Sequence, residues 1–175
     1  MIIVFTGNGK GKTTASLGQM VRVLGRGKAA LMIQFIKGPW LSGEDEFAAK
    51  VNIPPEKFAV RKMGLGFVGI LGDALPIEKH KEAARHALDE FIEEKRSGRW
   101  HLMILDEVNV AVSLGLLTPA EVIAAVDDFP EEKILIMSGR GAPQEFIDRA
   151  DLATEMREIK HPFAKGERAK FTVEF

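Results

Sequence analysis

Residues 6–14, Thr-Gly-Asn-Gly-Lys-Gly-Lys-Thr-Thr, follow directly on the apolar run Met-Ile-Ile-Val-Phe at 1–5. A run apolar at every position reads as a strand buried on both faces of a parallel sheet, and the glycines behind it read as the turn that ends it. Strand, glycine-rich turn and then Lys-Thr opening a helix is the context of a phosphate cradle. Glycines let successive backbone amides curl around phosphate oxygens, and the helix amino terminus adds unpaired amides and the positive end of its dipole. Gly7, Asn8, Gly9, Lys10 and Gly11 then supply the wrapping backbone. Lys12, read as an exposed loop side chain, pairs with phosphate, and Thr13, with Thr14 beside it, offers a hydroxyl to a magnesium ion. The broader pattern has glycine five positions before Gly11; Thr6 stands there instead. The competing reading is a tight turn that merely lets helix and strand pack closely, and it leaves Lys12 and the two threonines without a role.

Outward from this turn, strands and helices alternate. Helical spacing of Ala15, Leu17, Met20, Val21 and Leu24 marks a helix over 13–24, stopped by Gly25 and Gly27. Buried strands are expected at 29–36, 101–105 and 133–137, with a weaker one at 58–62. Ser42 caps a short acidic helix to about residue 50, and residues 78–96 form an amphipathic helix on the stripe Ala83, Ala84, Ala87, Leu88, Phe91 and Ile92, closed by Gly98. Thr118-Pro119-Ala120-Glu121 is a capping box, with Pro130 closing that helix, and a short helix runs through Phe146 and Ile147. Residues 152–160 and 170–174 are candidate edge strands, and 63–76, rich in glycine and without period, is a mobile or substrate-facing loop. This alternation implies right-handed crossovers and an α/β fold: a mostly parallel central sheet with helices on both faces, three layers in the P-loop NTPase (RecA-like) manner, over 1–175 as a single domain.

Asp106-Glu107 ends the apolar strand His-Leu-Met-Ile-Leu, where a carboxylate can hold magnesium opposite the cradle, directly or through water; spacing does not say which of the two touches metal. The bland alternative is a cap on the following helix. Arg140, between Gly139 and Gly141 at the end of another buried strand, is either a phosphate or carboxylate contact or an arginine in a surface turn. His80, His86, His101 and His161 have no metal-ligand spacing, His80 falling on the helix stripe, and Ser138 has no histidine partner for a nucleophilic triad.

Lys plus Arg at 24 nearly cancels Asp plus Glu at 25, which gives no basic field for nucleic acid. Cysteine is absent, excluding disulfides and thiolate metal sites and fitting a cytoplasmic location. No apolar stretch approaches a membrane span, and no basic leader precedes the first strand. From the residues alone the reading is a magnesium nucleotide held by its phosphates. Hydrolysis, phosphoryl transfer and transfer of another part of ATP all stay open, with the apolar character of 63–75 pointing to a second ligand.

Taken in order, TGNGKGKTTA at 6–15, QFIKGPW with GE at 34–44, LDE at 105–107, TPAEVI after it, SGRGAP at 138–143 and KHPF at 160–163 resemble the ATP-dependent corrinoid adenosyltransferases of the P-loop type. Their phosphate loop is similar to GNGKGKT, which accounts for Thr6. The resemblance implies transfer of the 5′-deoxyadenosyl group of ATP to the one-valent cobalt of a corrinoid such as cob(I)alamin, with release of triphosphate, in adenosylcobalamin synthesis or salvage. Cobalt is then the nucleophile, and Lys12, Thr13, magnesium and Glu107 neutralise the departing triphosphate, which sits reversed in the cradle relative to hydrolases. It also implies a homodimer and a reductase or flavoprotein electron donor. Relatives commonly carry a Gly-Phe-Thr-Trp-like segment on the corrinoid side; Gly66-Phe67-Val68-Gly69 keeps Phe67 without the tryptophan, and Trp40 is not expected to replace it merely by being aromatic. Many relatives also resemble this chain plus an amino-terminal segment covering a partner's active site. The alternatives are a catalytically silent ATP and corrinoid module, or a small-molecule kinase or ATPase of the same fold.

Overall fold

The structure is a computed structural model that describes residues 1–70, 72–162, 166 and 173, with the side chain of Ala48 left aside. Its strands are β1 (Ile2–Thr6), β2 (Ala30–Gln34), β3 (Phe58–Lys62), β4 (Leu102–Asp106), β5 (Ile134–Ser138) and β6 (Leu152–Glu155). They form one sheet in the order β3-β2-β4-β5-β1-β6, every neighbouring pair parallel. The helices are α1 (Lys12–Gly25), α2 (Gly43–Lys50), α3 (Ile77–Ser97), α4 (Val108–Ser113), α5 (Pro119–Val126) and α6 (Gln144–Arg149).

Alternation of side chains sorts the strand residues into two cores. Val4, Leu31, Ile33, Met103, Leu105, Leu135 and Met137 face Ala84, Ala87, Leu88 and Phe91 of α3 together with residues of α5 and α6. Ile3, Ala30, Met32, Leu102, Ile104 and Ile136 face Met20 and Val23 of α1. The expected three layers are therefore present, and because both faces are covered the central strands β2, β4 and β5 are apolar up to their last residue, whereas edge strand β3 ends on Arg61-Lys62 and edge strand β6 is exposed throughout. Large side chains such as Leu31, Ile33 and Ile104 are fully buried, each worth roughly 1.5–3 kcal/mol relative to exposure.

Four details differ from the sequence reading. On α1 the buried face runs through Ser16, Met20 and Val23, while Val21 is 56% exposed. The helix turns about 100° per residue, so Val21, next to Met20, is rotated off the contact line that Ser16, Met20 and Val23 follow. Helix α5 ends at Val126, ahead of Pro130, although its capping box is present, with the Glu121 amide donating to Thr118 Oγ1 at 3.2 Å. A short α4, foreseen only as the helix that the acidic pair could cap, follows Glu107, which stands at its N-cap position without a side-chain cap bond. The edge strand expected over 152–160 is only β6, beyond which the chain turns across the glycine-rich turn; the strand expected over 170–174 lies, apart from Val173, outside the described residues. Among the described residues no helix is long and apolar enough to cross a membrane.

Register places the polar ends of the strands together. Gln34 pairs with Asp106 across β2 and β4, and Phe5 with Ser138 across β1 and β5. The carboxyl edge of the sheet, where ligands of open parallel sheets bind, thus carries Gln34, Asp106 and Ser138 side by side beneath the glycine-rich turn.

Candidate active site

Asp106 is the hub of this edge and is fully buried. Its Oδ1 accepts from Ser138 Oγ at 2.7 Å and from Thr13 Oγ1 at 3.0 Å, while Oδ2 accepts from Gln34 Nε2 at 3.1 Å. Three donors satisfy this buried carboxylate, whose burial without partners would be costly. Thr13 spends its proton on Asp106, so the lone pairs of its hydroxyl are free to accept a cation. Gln34 Oε1 is buried without a partner. Oxygen donors from one hydroxyl and one or two carboxylates suit a magnesium ion, which keeps water and phosphate in the rest of its shell. Among the described residues no group of three or more acidic or histidine side chains could hold a metal ion.

Helix α1 starts at Gly11, whose φ of 118° lies in the left-handed region, and it has neither a side-chain cap nor an acidic residue in its first turn. Its leading amides and dipole are left for an anion. Lys12 is not the exposed side chain expected: it is 6% exposed, and its Nζ donates to the carbonyls of Gly7 and Gly9, each at 2.7 Å. Burial lowers the pKa of this ammonium, the charges of Glu107 and Asp106 raise it, and Arg140 lowers it further. The cradle also differs at Gly9, whose amide donates to the Met156 carbonyl at 2.7 Å. A Cβ on Gly9 would come within 2.8 Å of the Arg157 backbone, so glycine here admits the segment that follows β6. Asn8, Lys10 and Thr14 are exposed. Thr6, where the broader pattern has glycine, accepts from the Ala142 amide at 3.1 Å through Oγ1 and so ties the cradle to the 138–143 turn.

Glu107 sits at φ 63° between β4 and α4, a left-handed position outside the usual range of a non-glycine residue. Its amide donates to Ser138 Oγ at 3.2 Å. Burial, reinforced by the charge of Asp106, pushes its carboxyl up to about 7, opposed by Lys12, Lys37 and Arg140. A Cβ on Gly139 would lie 3.1 Å from Glu107 Oε2. Arg140 is exposed in the turn between β5 and α6, and its charge acts on both Lys12 and Glu107. The geometry therefore gathers Lys12, Thr13, Asp106, Glu107 and Arg140. Phe67 is set apart on the neighbouring loop, its ring against Trp40.

Several polar groups went unassigned by sequence reasoning. Gln34 Nε2 also reaches Glu44 Oε1 at 3.4 Å, and Glu44 pairs with Lys37 Nζ at 2.6 Å. Burial would raise the Glu44 carboxyl, but hydrogen bonds led by Lys37 bring it down to about 2. Asn109 Nδ2 donates to the Gly139 and Phe5 carbonyls, at 3.0 and 3.2 Å. One sequence signal was available: β2, β4 and β5 are apolar runs that each end on a polar residue, Gln34, Asp106 and Ser138.

Comparison with known proteins agrees with this geometry. The family model described as ATP:corrinoid adenosyltransferase BtuR/CobO/CobP matches residues 1–175. A corrinoid adenosyltransferase of Escherichia coli K12 is 33% identical over 175 residues, covering 100% of this chain and 85% of the relative. One from Pseudomonas aeruginosa is 34% identical, with 100% and 83% covered. The corrinoid adenosyltransferase CobA of Salmonella typhimurium is 32% identical over 180 residues, with 100% and 85% covered.

Proposed function

The chain belongs to the ATP:corrinoid adenosyltransferase family, and from that premise we propose how its own residues carry the transfer of the 5′-deoxyadenosyl group from ATP to the reduced cobalt of a corrinoid. A new bond forms between cobalt and the 5′ carbon while the bond from that carbon to the triphosphate oxygen breaks, and triphosphate leaves with the electron pair. The attacking electron pair belongs to the substrate cobalt, so the chain has to position ATP and stabilise a highly charged leaving group. The uncapped amino terminus of α1, the Lys12 ammonium and Arg140 take the triphosphate charge. Gly7, Asn8, Lys10 and Gly11 shape the loop around it, with Thr14 at its rim, and Gly9 holds the loop to the 156–157 segment. Thr13 and a carboxylate of the Asp106-Glu107 pair hold magnesium, Asp106 by orienting the Thr13 hydroxyl and Glu107 as the more exposed oxygen donor. The ion supplies positive charge to the phosphate oxygens when bound.

Phe67, on the loop that follows β3, faces the corrinoid side. The cobalt is reduced by a separate reductase or flavoprotein, because the side chains gathered here are acids, amides, hydroxyls and cations with no redox group among them. We further propose a single functional unit over 1–175, acting in the cytoplasm as a homodimer. The observation that carries the reading is the convergence of Thr13, Gln34 and Ser138 on buried Asp106 beside an uncapped helix terminus and Lys12. Anaerobic incubation with ATP, magnesium and chemically reduced cobalamin tests it: adenosylcobalamin appears in the visible spectrum with one triphosphate per turnover. ADP release without spectral change would move the protein to the kinase or ATPase class.

A further inference from the structure

Trp40 and Phe67 are 58% and 48% exposed, yet their ring centroids lie 5.8 Å apart with the planes inclined by 38°. An aromatic side chain this open to solvent is ordinarily free to change rotamer, but Trp40 is clamped. A Cβ on Gly38 would come within 2.5 Å of its ring and one on Gly66 within 2.6 Å. Lys62 Nζ donates to the Trp40 carbonyl and to Ser42 Oγ, the latter at 3.2 Å. The two glycines belong to different loops, one after β2 and one after β3, and backbone bonds tie those loops together. Gly66 N donates to the Ile36 carbonyl at 3.0 Å, and Met63 N and Gly64 N donate to that of Gln34 at 3.0 and 3.2 Å. Farther along, Asp73 accepts from the Gly69 and Leu75 amides at 2.8 and 3.1 Å and meets His80 Nε2 at 3.0 Å, fastening the second loop to α3. Leu41, Leu65 and Ile70 are exposed on the same two loops. The outcome is a rigid apolar shelf at the carboxyl edge of the sheet, carried by the strand end whose Gln34 contacts Asp106.

We propose that Trp40 is a specificity-determining residue for the acceptor, forming with Phe67 the wall against which the corrinoid macrocycle rests. The proposal rests on the adenosyltransferase reading. A corrinoid is a broad, nearly flat ring system with apolar faces and a fringe of amides, and a pre-ordered aromatic shelf holds such a face without losing side-chain freedom on binding. Adenine is the other flat group in the reaction, but a purine is small beside two inclined rings and three further apolar side chains spread over two loops. Segment 66–69 contains one aromatic, and Trp40 supplies the second from the neighbouring loop.

Steady-state kinetics of the full chain test this with Trp40→Ala and Trp40→Phe. Trp40→Ala raises the KM for reduced cobalamin tenfold or more and leaves the KM for ATP within twofold; Trp40→Phe recovers most of the loss. A binding measurement does not depend on turnover. The chain has two tryptophans, and Trp100 is 2% exposed, so the emission difference between wild type and Trp40→Phe reports on Trp40. Added cob(II)alamin quenches that difference saturably. An unchanged corrinoid KM in Trp40→Ala, an ATP KM that rises as much as the corrinoid KM, or an emission difference insensitive to cob(II)alamin would each overturn the proposal. Failure of the wild-type protein to form adenosylcobalamin would instead overturn the adenosyltransferase reading, and the quenching would still decide whether the shelf takes a corrinoid.

Discussion

The cradle and the shelf are built by opposite means. At the centre of the cradle the polar groups are buried and held by bonds that a neighbour must satisfy: Asp106 has three donors, and Lys12 has two carbonyls. In the shelf the working groups are apolar and half in solvent, held by backbone that leaves room for a ring. A buried charge without partners is costly, so the cradle tolerates few changes; an exposed ring is cheap to truncate, and its loss registers in binding. On the proposed reading, charge neutralisation belongs to the polar pole and recognition of a large flat substrate to the apolar one.

That contrast can be broken most directly at Lys12. Lys12→Ala removes the ammonium from the cradle and lowers kcat by about a thousandfold, the scale of losing a main charge-stabilising donor, as stopped-time assays of adenosylcobalamin formation measure. Because Lys12 is buried and bonded to Gly7 and Gly9, its loss also lowers the melting temperature. A variant that keeps wild-type kcat would mean the cradle holds no phosphate. Asp106→Asn comes next, with a loss of about a hundredfold and a raised magnesium requirement, since the amide cannot accept as well from both Thr13 and Ser138. Equal magnesium requirements in Asp106→Asn and wild type would move metal holding to Glu107.

At the shelf, Gly66→Ala is expected to raise the corrinoid KM about tenfold with the ATP KM held. Gly66 has φ 107°, and the added methyl would meet the Trp40 ring. A matched rise in both constants would show that the two regions are one packing unit. The smallest effect lies away from both. Glu94 is 7% exposed; burial would raise its carboxyl, but bonds from Trp100 Nε1 at 2.6 Å and from Arg61 and Arg99 bring it down to about 2 from an ordinary 4.5. A depressed acid stabilises the fold above its unfolded pKa and loses that contribution as pH falls through its folded one, here between about pH 4.5 and pH 2, by up to about 3 kcal/mol. Thermal melts at pH 6 and pH 3 should show wild type losing several degrees more than Glu94→Gln. Equal losses would remove Glu94 from the acid-sensitive set.

Much of the cradle was legible because it is local. Strand, turn, Lys12, Thr13 and the start of α1 occupy thirteen consecutive residues, and Asp106-Glu107 was visible as a charge at the end of an apolar run. Burial of Lys12, the role of Thr6 and the engagement of Gly9 by Met156 were not legible, since each depends on a partner at least a turn or a whole domain away in sequence. Ser138 was considered only as a nucleophile lacking histidine, whereas its hydroxyl serves Asp106 across the β4–β5 pair. His80 did prove to be a buried helix residue, with Asp73 as its partner.

By itself the amino-acid sequence determined the alternation of strands and helices, the parallel sheet with both faces covered, the glycine-rich turn that opens α1 and, through its ordered motifs, the family. Periodicity, glycine placement and short motifs carry those, because they express backbone geometry within a few residues. Tertiary structure alone decided that Gln34, Asp106 and Ser138 share one edge, that Lys37 and Glu44 extend that edge, and that Trp40 lies against Phe67. Strand register and close approach between loops set those contacts, and both are properties of the packed sheet that no window of local sequence contains.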